Sequence, residues 1–410
     1  MRTLPVSFTQ VVPRLRRDID IITTGEAADQ MLILRDSYGY AEEPIAIPVS
    51  AWAILELLDG TSTIEEIQQK ALEELGATVD AQNLEEFIVN LDLMGYLESA
   101  LYFDRKLRLE QEFNHMPVRK AACAGSSYPK EPEKLTAFLD KVLKNVDTSN
   151  ISGNAVGALI PHIDLRVGAE TYAPAYHAIK NTDADLFVVI GTSHYGWQDQ
   201  YILTEKDFET PLGIVKTDRE LIHKIREALP FKPTPNDIAH KPEHSLEFQF
   251  VFLKHLLKDK NFTVLPILVT SFNNFVDEEQ SPREDEKVRE FARVLKEVVV
   301  ASGRKSVWIA SGDLAHIGKK FGDEFPAETM LEMVRAEDEE LLDSLREVDA
   351  ESFFNKIAAI GDERRICGLP PLYTMLEALK PSKAEVLQYK QWNEKETESA
   401  VTFASVAFYK

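Results

Sequence analysis

The chain has 410 residues, 44% of them hydrophobic, enough for a large core and, because one core seldom grows past about 250–300 residues, for two domains. A formal net charge of −22 without a basic patch argues against nucleic-acid or anionic-membrane partners, since phosphate binding needs clustered cations. No apolar run approaches the roughly 20 residues of a membrane span, Pro5 and Thr9-Gln10 break any signal-peptide pattern, and two cysteines, Cys123 and Cys367, cannot form a disulfide framework, so a cytoplasmic protein is expected.

In chain order, the basic cluster at 14–17 (RLRR) reads as a solvated strand edge. Residues 31–34 (MLIL) and 45–48 (IAIP) are strand-like runs around a turn-rich DSYG segment. A helix capped by Ser50 follows, with Trp52, Ile54, Leu55, Leu57 and Leu58 as its apolar stripe until Asp59-Gly60 stops it. Thr63 with Glu66 three residues on predicts a capping box for a second helix. Residues 84–93 predict a third, and Tyr96-Leu97 a short returning strand. This order outlines a small α+β winged-helix domain at 10–100. Residues 102–119 are charge-rich and helical up to Pro117, so 101–117 is expected to be a helical linker.

The remainder, 118–410, alternates strands and helices. Apolar runs at 156–160, 186–190, 264–269 and 307–310 predict strands buried on both faces. Amphipathic helices are expected at 131–146, at 218–229 behind a Thr217/Glu220 capping box, and at 244–257, 288–300, 335–345 and 351–360. Strands at 385–391 and 401–408 close the chain, and the acidic stretch 277–287 reads as an exposed loop or helix start. The rhythm predicts an α/β fold with a mixed or mostly parallel sheet and helices on both faces.

Four turn motifs end or follow apolar runs with metal-capable side chains: Ile160-Pro161-His162, Gly191-Thr192-Ser193-His194, the segment Ser311 to His316 (SGDLAH), and Arg365-Ile366-Cys367-Gly368. Ligands in open α/β sheets collect beyond the carboxyl ends of strands, so one site built from distant segments is expected. Neutral imidazole suits iron, copper and zinc, and two His with one anionic ligand leave coordination positions open. His162, His194 and Cys367 fit that description. If the turn after 310 is helical, Asp313 and His316 share a face, and the carboxylate orients an acid/base imidazole. His244 and Glu247 would likewise share the first turn of a helix, near the positive end of its dipole. His115, His177, His223, His240 and His255 lie outside these settings.

From Ala124 onward the chain resembles the Memo family, relatives of the class III extradiol dioxygenases, through ordered motifs: AGSSYP (124–129), LIPHIDLR (159–166), VVIGTSHYG (188–196), PEHSLEFQ (242–249), VLPILV (264–269), ASGDLAHIG (310–318) and RICGLPP (365–371). The resemblance implies metal ligation by His162, His194 and Cys367, with Asp313, His316 and His244 lining the pocket. Two departures matter. Family members commonly carry His-Ala-Gly-Tyr where this chain has His162-Ile163-Asp164-Leu165, and the dioxygenase relatives use a carboxylate where it has Cys367, whose thiolate is oxidisable. The first hundred residues resemble the PqqD-like family, which implies peptide binding, with an open sheet edge expected at 31–34. By analogy with such pairings, a radical-SAM protein would be a partner. The expected function is that of an iron- or copper-dependent oxidoreductase, these metals ahead of zinc, acting on a small molecule. The alternative is a non-catalytic peptide or partner binder whose metal is structural or stored. Neither a His-Glu-x-x-His helix nor a nucleophile elbow is present, which leaves a zinc hydrolase third.

Overall fold

Residues 11–24, 30–76, 78–147, 151, 153–180, 182–196 and 199–410 are described by the structure, a computed structural model; Pro5, Thr9 and Gln10 lie outside them. The chain divides into two units, one up to His115 and one from Met116 on.

In the first unit β1 (Asp20–Thr24), β2 (Met31–Arg35) and β3 (Ile45–Pro48) form an antiparallel sheet in that order. Four helices follow among the described residues: α1 (Trp52–Glu56), α2 (Ile64–Leu75), α3 (Ala81–Met94) and α4 (Ala100–His115). Leu32, Leu34 and Ile47 from the sheet pack against Leu55, Ile67, Leu84 and Ile88 from the helices. The Thr63/Glu66 capping box forms, and left-handed Gly76 ends α2. Leu97 returns to bridge Leu15, as Tyr96-Leu97 suggests.

Three expectations fail here. Ser50 caps nothing: it lies in a 3-10 turn that leaves β3 directly at Pro48, and α1 starts without a side-chain cap. The strand at 31–34 is central, paired on both sides, so the open edges belong to β1 and β3. Arg16 is 2% exposed rather than solvated. Its guanidinium meets Asp18 and Asp36 at 2.9 Å each, donates to the Gly95 carbonyl, and lies 4.5 Å from the centre of the Tyr102 ring. Paired carboxylates and an aromatic face are what allow a cation to be buried.

The segment expected as a linker is helical, but α4 is part of the first unit. Tyr102 covers Arg16, and Arg105 donates to the carbonyls of Tyr40 (3.1 Å) and Met94 (3.3 Å). A fragment ending at His115 should therefore unfold cooperatively, while one cut at Ala100 should melt lower, by about 4–8 °C for each kcal/mol lost. Calorimetry of the two fragments checks this; equal midpoints would show that α4 adds no stability.

The second unit runs β4 (Val118–Arg119), α5 (Pro132–Lys144), β5 (Gly157–Ile160), α6 (Leu165–Ile179), β6 (Leu186–Thr192), β7 (Tyr201–Leu203), β8 (Asp207–Thr210), β9 (Gly213–Thr217), α7 (Arg219–Ala228), α8 (Glu247–Leu256) and β10 (Thr263–Val269). It continues with α9 (Asn273–Asp277), α10 (Glu286–Ala301), β11 (Ser306–Ser311), β12 (His316–Gly318), α11 (Leu331–Arg346), α12 (Ala350–Ala358), α13 (Leu369–Leu379), β13 (Lys383–Glu394) and β14 (Ser399–Tyr409). Among the described residues the mixed sheet has eleven strands, ordered β12-β14-β5-β11-β6-β10-β9-β8-β4, with β13 on β14 and β7 on β10. Its centre, β5-β11-β6-β10, is parallel. Alternate side chains feed two cores: Val188, Ile190 and Ile267 meet α7, α10 and α13 on one face, while Val189, Val264 and Ile309 meet α5, α6 and α8 on the other.

Periodicity misses α6 and α13. Both are buried nearly all round, α6 even containing Pro174, so neither shows the polar stripe that marks a surface helix. Asp218, not Thr217, caps α7 by accepting from the Leu221 amide, while the Thr217 hydroxyl donates to the Lys206 carbonyl. The helix expected from 244 begins at Glu247, because the Glu243 carboxylate takes the amides of His244 and Ser245 and holds 244–246 in a turn. No described helix is long and apolar enough to cross a membrane.

Candidate metal centre

The parallel strands are paired in register at their carboxyl ends, with Ser311 opposite Ile160 and Gly191, and Val269 opposite Thr192. His162, His194 and Asp313 each stand two residues past a strand end, so the sheet places them on one edge. Cys367 comes from the turn before α13. A Cβ on Gly312 would fall 2.3 Å from the Gly368 Cα, and one on Gly368 would fall 2.6 Å from the Asp313 carbonyl oxygen. Two glycines thus let the two backbones touch. The Gly368 amide to the Asp313 carbonyl (2.8 Å) and the Thr192 hydroxyl to the Cys367 carbonyl (2.6 Å) fasten that approach.

The ligand atoms of His162, His194 and Cys367 all lie within 4.8 Å of one another, close to the widest span open to two ligands roughly 2.0–2.3 Å from one ion. The His162 Nδ1 lies 3.2 Å from the Ser311 carbonyl and the His194 Nδ1 3.0 Å from Glu243, so each ring carries its proton there and keeps Nε2 as the free donor to a metal. The Cys367 Sγ is 3.1 Å from the His162 Nε2 and accepts from the Asp313 amide. Two imidazoles and a sulfur, with the rings held from behind, fit a bound iron, copper or zinc ion.

Asp313 does not orient His316. The turn between them is extended, because the amides of Leu314 and Ala315 bond to Thr402 of β14. Asp313 Oδ1 instead accepts from the amides of His162 and Ile163, and Oδ2 lies 3.8 Å from the His162 Nε2. The His316 Nδ1 faces the carbonyls of Leu314 and Arg365 at 3.1 and 3.0 Å. Asp313, His316 and Cys367 nevertheless bring ligand atoms within the same 4.8 Å span.

His244 joins the centre, though without Glu247, which turns to Arg119, Tyr128 and the amides of Ala122 and Cys123. The carboxylate that serves His244 is Glu243, which sequence reasoning passed over. Glu243 reaches the Nδ1 of His194 (3.0 Å) and of His244 (3.3 Å), and the two rings stack with centroids 4.9 Å apart. Its only sequence signal is its place beside His244 in PEHSLEFQ. The divergent Ile163-Asp164-Leu165-Arg166 stretch forms the start of α6, where Asp164 caps the helix and pairs with Arg166. His177, His223, His240 and His255 do have partners, namely the Leu143 carbonyl, Glu227, the Ile202 carbonyl and Asp140, all away from the centre, and His115 lies in the first unit.

Burial decides the charge states. It pushes His162 well below its ordinary range, helped by His194 and His244, and takes His244 and His316 down to about 4. Burial opposes the charged form of His194 and Glu243 too, but their mutual attraction outweighs it: His194 is raised and Glu243 lowered. Asp313 is pushed up to about 7 by burial, and the Cys367 thiol well above its usual value by burial and Asp313.

A metal held by Cys367 and His194 would have to displace the Cys367 proton and, below the raised His194 value, a second one. Because binding releases protons, affinity should rise with pH, about tenfold per unit near neutrality and more steeply toward acid. Chelator competition across pH values checks the slope; a flat profile would mean that the thiol is not displaced.

The family model for Memo-like protein matches residues 119–407. A "MEMO1 family protein" of Aquifex aeolicus is 30% identical over 381 residues, 92% of this chain and 96% of its own. One of Methanosarcina barkeri is 27% identical over 280 residues, 68% of this chain and 94% of its own. One of Thermus thermophilus is 27% identical over 342 residues, 83% and 97%. The Aquifex match is too long for the second unit alone, so that relative also aligns with much of the first.

Proposed function

The chain belongs to the Memo family, and on that premise we propose that it is a cytoplasmic metal-dependent oxidoreductase using iron or copper at His162, His194 and Cys367 to act on a small molecule. The observation that carries this reading is the convergence of two imidazoles and a thiol at the strand ends, with each imidazole held at Nδ1. The metal would supply Lewis acidity and one-electron chemistry. The protein's own part is proton handling. His244, neutral at pH 7, backed by Glu243 and with 29% of its side chain exposed, can take a substrate proton at Nε2. His316 is also neutral and fixed at Nδ1, but no carboxylate stands behind it. His244 is therefore the better base, with Asp313 and His316 lining the centre.

The test is oxygen-dependent turnover of small aromatic and catechol-like compounds by the metal-loaded protein. His244→Gln should lower turnover by roughly 10²–10⁴ while metal content holds. Turnover unchanged by His244→Gln would remove the base, and turnover independent of metal would remove the reading. A second reading, a peptide or partner binder with a stored or structural metal, is favoured by the first unit. Its edge strand β1 exposes Ile21 and Ile22, consistent with a PqqD-like module that accepts an added strand and works beside a radical-SAM protein. No turnover with any metal, together with tight binding of an extended peptide, would select it.

A further inference from the structure

Beside the centre, past the ends of β6 and β10, the second unit holds a half-open cavity of about 290 Å³. His194 and Cys367 form one wall, Phe272 and Leu369 supply apolar surface, and Asp277 and Asp362 supply charge. Among the described residues neither carboxylate makes an ion pair within 4 Å. Asp362 accepts the backbone amides of Ile366, at 2.9 Å, and of Arg365, and Asp277 is exposed. The arginine on this wall, Arg365, is already committed: Nη2 lies 2.7 Å from Asp323, and Nη1 donates to the carbonyls of His316 and Glu363.

We propose that this cavity is the substrate compartment of the centre and that it selects small, partly apolar molecules that are uncharged or cationic, against carboxylates and phosphates. The proposal rests on the function proposed above, because it takes His194 and Cys367 as the metal-bearing wall. Size sets one limit: the volume stands at the low end of ligand sites, which span about 300–1,000 Å³, so about one ring with a short substituent fits. Charge sets the other. Two unpaired carboxylates at the wall of a partly enclosed space attract an ammonium or a hydrogen-bond donor and repel an anion, and the net charge of −22 reinforces that sign at long range. Phe272 and Leu369 take the apolar body of the ligand while Asp362 and Asp277 meet its donor.

The experiment uses the full-length chain loaded with metal, its metal content measured first, and three probes with the same ring: benzylamine, benzyl alcohol and benzoate. Calorimetry or ligand-observed NMR should show benzylamine binding at least about tenfold more tightly than benzoate at moderate salt. Asp277→Asn and Asp362→Asn together should bring the two within about threefold, leaving benzyl alcohol affinity and metal content as they were. Asp277→Asn alone, at an exposed position, should narrow the gap even if Asp362→Asn does not fold. Benzoate binding as tightly as benzylamine, a gap that survives the substitutions, or no binding of any probe to metal-replete protein would overturn the proposal. Protein that takes up no metal would overturn the metal reading instead, and the amine preference measured on it would still decide the selectivity of the cavity.

Discussion

Cys367→Ser should cost the protein about 10²-fold or more in metal affinity, since even the outer partners of metal ligands are worth roughly 10–100-fold and Cys367 would be bonded to the ion itself. A serine hydroxyl keeps the shape but is a poor anion near neutral pH, so two imidazoles would be left to hold the metal. Cys123→Ser is the control. Burial and Glu247 push the Cys123 thiol up to about 12, and its amide, not its sulfur, is what bonds to Glu247. That variant should load metal like the parent protein. Equal loading of both variants would remove Cys367 from the centre, and a drop in stability without metal loss would make it a small buried hydrophobe.

Arg119→Met should produce the largest loss of stability among single changes at the site's support. Arg119 and Glu247 are fully buried and paired. The same guanidinium donates to the carbonyls of His240 (2.9 Å) and Glu243 (2.6 Å), so it ties the segment that opens the second unit to the turn carrying Glu243 and His244. Removing one partner of a buried pair costs about 3–5 kcal/mol, because the other charge stays buried without compensation. Arg119→Lys should recover little, since an ammonium cannot span two carbonyls and a carboxylate as the planar fork does. Thermal unfolding measures both variants, and a midpoint within a degree of the parent would refute the estimate.

The pair also sets an acid limit. Burial alone would raise the Glu247 carboxyl, but Arg119, Tyr128 and the Ala122 amide outweigh it, so the folded value lies below the ordinary 4.5 of a glutamate. The stabilisation is complete above about 4.5 and is lost as pH falls through the folded value. Loss of stability on the alkaline side alone would contradict this sign.

Much of this molecule follows from local pattern. The four central strands were legible because residues buried on both faces leave continuous apolar runs, and the Thr63/Glu66 box because its partners are three residues apart. His162, His194 and Cys367 stood out because metal-capable side chains are rare and each fell in a turn at or beyond an apolar run. The Memo family itself was legible from seven ordered motifs, and the family model agrees.

Other features depend on partners far apart in the chain. Whether Asp313 serves His316 or the amides of His162 and Ile163 is decided by β14, whose Thr402 holds the turn extended. Glu243 reads as one more acidic residue until β6 delivers His194 to it, 49 positions away. Arg16 and Arg119 look like surface cations until carboxylates and carbonyls from distant segments surround them. The helix α6 has no stripe to reveal it, because the sheet and its neighbours cover it nearly all round. Short-range spacing determines which elements form and which side chains are chemically able. Burial and electrostatic pairing, which exist only once distant segments meet, decide which of those side chains are charged, held or joined.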